Sequence, residues 1–131
     1  MKLAAYLAAP RPPFDFVHSD CCRWVDTWVR LSGHSSPMKA TGMRYASERA
    51  ALRRIAEGGG LVALWLKGMS AVGLETCAFW HVRSGAVGVI ERPTPCGTDQ
   101  ATGIWTGERW VTLGLRGLDF GPAVPLTTWN L

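Results

Sequence analysis

Charged residues are scarce in this sequence. They account for 18% of its 131 residues, whereas hydrophobic residues account for 47%. A chain with so much apolar surface can offset the entropy cost of ordering by burial, which excludes an intrinsically disordered protein. Its 15 glycines and 8 prolines fall short of a low-complexity composition, and no internal repeat or linker divides the chain. We therefore expect residues 1–131 to form a single globular domain.

Long hydrophobic runs are also missing. The longest apolar stretch, GLVALWLKGMSAVGL, is interrupted by Lys67 and falls short of the roughly 20 residues that cross a bilayer. The segment MKLAAYLAAP has the charge and the apolar run of a signal peptide, but the run is short and no small-residue cleavage site follows it. The sequence predicts no membrane span and a protein made in the cytoplasm.

Lysine occurs only at Lys2, Lys39 and Lys67, so most of the 14 basic residues are arginines. They exceed the 10 acidic residues but are scattered along the chain, whereas a protein that binds a nucleic-acid backbone usually gathers them in a stripe. We expect no nucleic-acid partner. An excess of arginine favours protein interfaces, because the guanidinium group stacks on aromatic rings and pairs with carboxylates.

The four cysteines, Cys21, Cys22, Cys77 and Cys96, form no Cys-x-x-Cys motif. The adjacent pair cannot easily direct both sulfurs at one tetrahedral metal ion, and a site built from Cys77, His81 and Cys96 would need a further ligand. We expect free thiols, no metal and no cofactor.

The strongest helix signal begins at Asp20, a favourable N-cap. Val25, Trp28 and Val29 follow at helical spacing, which predicts a helix over about 20–31.

Weaker helix signals lie on either side. A short helix is predicted over residues 3–9. After the polar loop HSSPMKATGMRY, a helix starting at Ser47 would place Ala51, Ile55 and Leu52 on one face. A glycine triplet ends it, and GLVALWLKGM predicts a short buried helix.

From Cys77 onward the pattern changes to short runs rich in Val, Ile, Trp and Thr: AFWHV, AVGVIE, ATGIWTG and RWVTLG. Turn segments separate them, among them RPTPCGTD and a tight hairpin turn at residues 106–109. We expect the tail LTTWNL to pack Trp129 back on the body. The predicted fold class is α+β, with N-terminal helices packed on a C-terminal antiparallel sheet.

The motif HSDCCRW carries the most chemical information. A cysteine in the first turn of a helix lies at the positive end of the helix dipole, among backbone N–H groups that lower its pKa and can hold an oxyanion. The charge of Asp20 opposes thiolate formation. Free cysteines are also often small buried apolar residues, so both interpretations of Cys21 and Cys22 stay open.

The order of motifs resembles the NlpC/P60-like branch of papain-fold cysteine peptidases, and within it small phage tail proteins and their prophage relatives. FDFVHSDCCRWVDTW is similar to the Asp-Cys helix of that family, with Cys21 at the nucleophile position. EGGGLVALW, SGAVGVI and ATGIWTGERW are similar to the Gly-Gly break, the turn with its strand, and the next strand. The resemblance covers most of the chain and implies a papain-like fold.

Two features of that family are missing. Gly85-Ala86 stands where the family has a Gly-Asp turn, and Thr102 stands where its catalytic histidine is expected. Neither Thr102 nor the preceding Ala101 can accept a proton from a thiol near neutral pH. His81, at the end of a predicted strand, is the candidate for a relocated base, whereas His18 belongs to the segment that approaches the helix.

The resemblance and these departures imply a structural component of a phage or phage-like tail tip, active in tail assembly or part of the virion. The expected partners are other tail-tip proteins, hub or distal tail subunits, and the expected location is the tail of the virion. The alternative is an active cysteine hydrolase that cleaves peptidoglycan peptides during genome entry, with Cys21 as nucleophile and His81 as base.

Seven tryptophans are more than one small core readily encloses. We expect some of them in a surface patch that docks on a protein partner. Trp24 with Arg23, or Trp110 with Arg109, would suit such a contact. The alternative is that burial in the monomer accounts for all seven rings.

Overall fold

The computed structural model describes residues 2–131. The helices come first, in the order α1 (Leu3–Ala8), α2 (Cys21–Leu31), α3 (Pro37–Ala40), α4 (Glu48–Glu57) and α5 (Leu61–Ala71), with a short 3₁₀ helix at Phe79–His81. The strands follow as β1 (Val87–Thr94), β2 (Gly97–Trp105), β3 (Trp110–Gly114), β4 (Gly117–Asp119) and β5 (Val124–Trp129). The α+β class is confirmed.

The five strands form one antiparallel sheet in the order β4-β3-β2-β1-β5. β1 and β2 form a long hairpin in which Thr94 pairs with Gly97, so its turn is much shorter than the predicted segment RPTPCGTD. The first half of β1 is buried and its partner, the second half of β2, is buried too. Next to the turn, β1 is mostly half-buried and β2 is exposed. The exposed half of the hairpin is held by Arg92, which pairs with Asp99 and Asp119.

Helix α2 begins where the sequence predicts. The Asp20 carboxylate accepts a hydrogen bond of 2.8 Å from the backbone N–H of Arg23 and caps the first turn. Val25 and Val29 are fully buried and Trp28 is 6% exposed, and the helix packs against β2 and β3. Burial of each such side chain contributes about 1.5–3 kcal/mol to folding, so this face anchors the helix on the sheet. The predicted packing is confirmed.

Several local predictions are wrong. AFWHV is not a strand: Cys77 just before it makes an isolated pairing with Thr128 of β5, and Phe79–His81 then form the 3₁₀ helix. Leu52 is 61% exposed, since only Ala51 and Ile55 lie on the inner side of α4. The loop before α4 contains α3, which Ser36 caps by accepting from the N–H of Lys39.

The main core lies between the helices and the sheet. α2 and α5 contribute its largest side chains, and Trp129 of β5, 1% exposed, closes it from the far edge as the sequence predicts. Tyr6 of α1 stacks on Trp24 and donates a hydrogen bond of 2.6 Å to its carbonyl oxygen. Across residues 2–131, every helix is too short or too polar to span a membrane.

Candidate functional site

The candidate site lies at the start of α2, where Cys21 is the first helical residue. Asp20, which caps the helix, is 2% exposed. Besides the N–H of Arg23, its carboxylate accepts hydrogen bonds from the Tyr45 hydroxyl and from the Arg23 guanidinium at 3.1 Å. The Asp20 carboxylate thus has a structural role, in which it holds Arg23 and Tyr45 at the start of α2.

Arg23 and Tyr45 complete this cluster. The guanidinium of Arg23 donates to the carbonyl oxygens of Phe16 and Tyr45, at 2.6 and 2.7 Å, and its central carbon lies 4.3 Å from the centre of the Tyr45 ring. Burial, together with the negative charge near the ring, raises the pKa of Tyr45 far above its usual range. The tyrosine therefore stays protonated and acts as a hydrogen-bond donor to Asp20.

Cys21 is partly exposed and contacts the second, smaller cluster of buried side chains on the sheet. Interaction with the neighbouring Cys22 thiol is the main cause that lowers the pKa of Cys21 to about 7, and the backbone and side chain of Thr102 act in the same direction. Burial and the charge of Asp20 oppose them. The thiolate of Cys21 is therefore more accessible near neutral pH than that of an ordinary cysteine.

Cys22 behaves in the opposite way. It is 4% exposed and belongs to the main core. Its hydrogen bond to Cys21 and its burial raise the pKa of its thiol well above the usual value. Of the two adjacent cysteines, Cys21 is the one accessible for chemistry.

Thr102 lies on β2 opposite the start of α2 and is 1% exposed. Its carbonyl oxygen accepts a hydrogen bond of 2.8 Å from the Thr112 hydroxyl. Its own hydroxyl has no hydrogen-bond partner of regular geometry among the described residues, so its action on the Cys21 thiol is a weak electrostatic one. The position expected for a histidine thus holds a buried side chain that lies against the thiol and cannot take up its proton.

The structure does not bring His81 to Cys21. His81 is exposed and ends the 3₁₀ helix, which packs against β5, so β1 lies between it and β2. Its carbonyl oxygen accepts a hydrogen bond from the Asn130 side chain. The sequence placed it at the end of a strand, and this placement is wrong.

The Gly85-Ala86 turn has a structural role. Gly85 has a φ of +92°, a conformation that other residues rarely adopt, and its carbonyl oxygen accepts a hydrogen bond of 2.8 Å from the Trp28 indole. Ala86 is 1% exposed, so a carboxylate at this position would be buried.

The other cysteines lie apart from this site. The backbone of Cys77 pairs with that of Thr128 of β5 in an isolated β-bridge. Cys96 is exposed at the tip of the β1–β2 hairpin. All four cysteines are free thiols. Within residues 2–131, no three of the His, Cys, Asp and Glu side chains come together as ligands for a metal ion.

Five of the seven tryptophans are buried, including Trp24 and Trp110, so neither of these can form the predicted surface contact with arginine. The exposed tryptophan is Trp80, at 69%, whose ring packs edge-on against Phe79, at 58%. Both residues lie in the segment AFWHV, for which the sequence predicts a strand, so their exposure was not predicted.

These two rings belong to a larger apolar surface, the aromatic edge, which also includes the half-exposed side chains of Leu66 and Leu126. A shallow depression of about 450 Å³ runs along it, between α5 and β5. β5 is the outermost strand on this side of the sheet.

Comparison with known proteins gives one match. No curated protein and no solved structure shows a significant similarity to the chain. The model of one family, described as "Domain of unknown function (DUF6950)", matches residues 1–130. Since this match covers nearly the whole chain, the protein belongs to the DUF6950 family.

Proposed function

We propose that this protein is a structural component of a phage or phage-like tail tip, with a papain-like NlpC/P60-type fold whose peptidase site is degenerate. The observation that supports the loss of activity is that α2, which begins at Cys21, packs on β2, where the position expected for the histidine holds the buried Thr102. A thiol peptidase needs a base that later protonates the leaving group, and a threonine hydroxyl does not supply that proton near neutral pH.

The arrangement of the elements supports the family resemblance. A cysteine begins a helix that packs across an antiparallel sheet, and the residue opposite that cysteine lies on the second strand of the sheet. This is the relation that the resemblance implies for nucleophile and base.

The aromatic edge supports a role in assembly. Contiguous exposed apolar surface is uncommon on monomeric proteins and usually marks a contact with another protein. Trp80 has a side-chain type that often dominates binding energy at such contacts, and phenylalanine, as at Phe79, is enriched in them. In this proposal the aromatic edge docks on a hub or distal tail subunit, and the protein is made in the host cytoplasm and ends in the tail of the virion.

The experiment compares particles made with the wild-type gene, without it, and with Cys21→Ala. We expect the protein in purified tails, loss of infectious particles without the gene, and wild-type yields with Cys21→Ala. Cys96→Ala, which removes an exposed thiol far from the site, is the matched control. A loss of infectivity in Cys21→Ala alone, or absence of the protein from purified tails, contradicts the proposal.

One observation favours the alternative, a cysteine hydrolase that cleaves peptidoglycan peptides. The lowered pKa of Cys21 favours its thiolate, the nucleophilic form, and Cys21 lies at a helix N-terminus that can hold an oxyanion. His81 would have to move across β1 to act as the acid. Release of peptides from purified peptidoglycan, abolished by both Cys21→Ala and His81→Ala, would establish this function in place of the first.

A further inference from the structure

A second surface of the protein carries a concentration of positive charge that neither the candidate site nor the aromatic edge uses. It is a groove of about 580 Å³ between α2 and the segment 36–45, which includes α3. Five side chains that carry or can carry a positive charge line it: His18, Arg23, Arg30, Lys39 and Arg44. We call it the basic groove.

The one acidic residue that lines the basic groove is already paired. Asp26 is 6% exposed, and its carboxylate accepts hydrogen bonds from the Ser36 hydroxyl at 2.8 Å, from the N–H of Met38 at 3.0 Å and from Arg30 at 3.3 Å. These donors tie α2 to α3 and shield the carboxylate from any ligand. The groove therefore presents net positive charge to solvent.

Two of the basic side chains have no partner of their own. Lys39 and Arg44 are exposed, and within residues 2–131 neither lies within salt-bridge distance of a carboxylate. Arg23, in contrast, is held by Asp20, Phe16 and Tyr45. Arg23 is thus fixed in position, whereas the charged groups of Lys39 and Arg44 are available to a ligand.

The apolar side chains of the lining are mostly covered. Met38 and Met43 line the groove but are 8% and 6% exposed and belong to the main core, so the surface offered to a ligand is mainly polar. The groove is open to solvent, so a small anion would lose little of its hydration there, whereas an extended chain can make several contacts along it.

From these observations we infer that the basic groove binds an acidic peptide segment of a partner protein. Charge complementarity selects the sign of the ligand. The lining favours a peptide over a nucleic acid, because Arg23 covers the ring of Tyr45 and no other aromatic side chain among residues 2–131 lines the groove. Single-stranded nucleic acids depend on such rings for stacking. The inference does not depend on the function proposed above.

The test is fluorescence anisotropy with the full chain and an octapeptide of alternating Glu and Gly that carries an uncharged dye. Two other labelled ligands are measured in the same way for comparison. One is the same peptide with Gln in place of Glu, and the other is a single-stranded octanucleotide. We expect saturable binding of the Glu peptide that weakens as NaCl rises from about 50 to about 300 mM, and weaker binding of the other two.

The variant Lys39→Glu/Arg44→Glu should weaken binding of the Glu peptide by about tenfold. The matched control, Arg49→Glu/Arg53→Glu, makes the same change of net charge on exposed residues of α4 and should leave the affinity within about twofold. Lys39→Gln/Arg44→Gln removes the two charges without reversing them and should give an intermediate loss of affinity. It tests the same contacts if the first variant fails to fold.

Three results would overturn the inference. The first is equal binding of the Glu and Gln peptides, or no binding of either. The second is tighter binding of the octanucleotide, which would make the groove a nucleic-acid site. The third is an equal loss of affinity for the Glu peptide in the groove variant and the α4 control. It would show that binding depends only on the net charge of the protein.

Discussion

The indole N–H of Trp28 donates a hydrogen bond of 2.8 Å to the carbonyl oxygen of Gly85, which lies 57 residues further along the chain. This bond joins the helix that carries Cys21 to the turn that leads into β1. Both partners are buried, so the position of α2 on the sheet depends on a polar contact as well as on apolar packing.

Trp28→Phe should lower the free energy of unfolding by about 1–3 kcal/mol, because it leaves the buried Gly85 carbonyl without its donor. Urea unfolding followed by circular dichroism measures the change. Trp80→Phe, which alters an exposed ring, is the control and should shift stability by less than about 0.5 kcal/mol. Equal effects of the two substitutions would show that the hydrogen bond contributes nothing.

Alkylation of Cys21 should follow a titration with a midpoint near pH 7, below the ordinary thiol value of 9.0, because Cys22 and Thr102 stabilise its thiolate. The measurement is the rate of reaction with iodoacetamide against pH, in a background of Cys77→Ser and Cys96→Ser. Cys22 should stay unreactive over the same range, since its pKa is raised. A midpoint near 9, or modification of Cys22 first, would refute the assigned geometry.

Asp20→Asn should lower the midpoint for Cys21 further, because the charge of Asp20 raises the pKa of that thiol. The same substitution should cost about 1–3 kcal/mol of stability, since Tyr45 and Arg23 lose a charged acceptor. Asp99→Asn, on the exposed half of the hairpin, should change neither quantity appreciably. A rise in the midpoint for Asp20→Asn would contradict the conclusion that the charge of Asp20 raises the pKa of Cys21.

Gly68→Ala should destabilise the protein by about 1–3 kcal/mol, because the added Cβ would lie 2.6 Å from the backbone oxygen of Pro37. The glycine is what allows α5 to approach α3 closely. Thermal unfolding measures the loss, and Ser70→Ala, at an exposed position of the same helix, is the control. Wild-type stability for Gly68→Ala would mean that α3 shifts freely.

Phe79→Ala/Trp80→Ala should leave the melting temperature of the isolated protein nearly unchanged. Under the proposed function, it should also reduce the amount of the protein in purified tails. Both side chains are exposed, so their removal costs the monomer little core. Leu52→Ala, which also removes an exposed apolar side chain, is the control for incorporation. Normal incorporation of the double variant would remove the aromatic edge from the proposed contact.

The sequence was sufficient to predict α2 because two local signals agree there, the cap at Asp20 and the apolar stripe of Val25, Trp28 and Val29. α3 escaped prediction because its four residues have no periodicity, although Ser36 before Pro37 is a recognisable start. β5 escaped because Pro125 interrupts its pattern and its place in the sheet depends on pairing with β1.

The candidate site was predictable only in part. Local sequence placed Cys21 at a helix start, and the family resemblance directed attention to Thr102. The interaction of Cys22 with Cys21 needed side-chain directions, and the position of His81 needed the order of the strands. Both depend on tertiary packing, which no local pattern encodes.

The β1–β2 hairpin has a buried base and an outer half that is clamped mainly by Arg92. Its outer amides rest on ladder hydrogen bonds with little apolar burial beneath them, and such regions open at a small free-energy cost. Deuterium should therefore enter residues 92–99 long before residues 87–90. The outer half of the hairpin should thus open more readily than the buried base of the same strands. A probe attached to the thiol of Cys96, at the tip, would report on this opening.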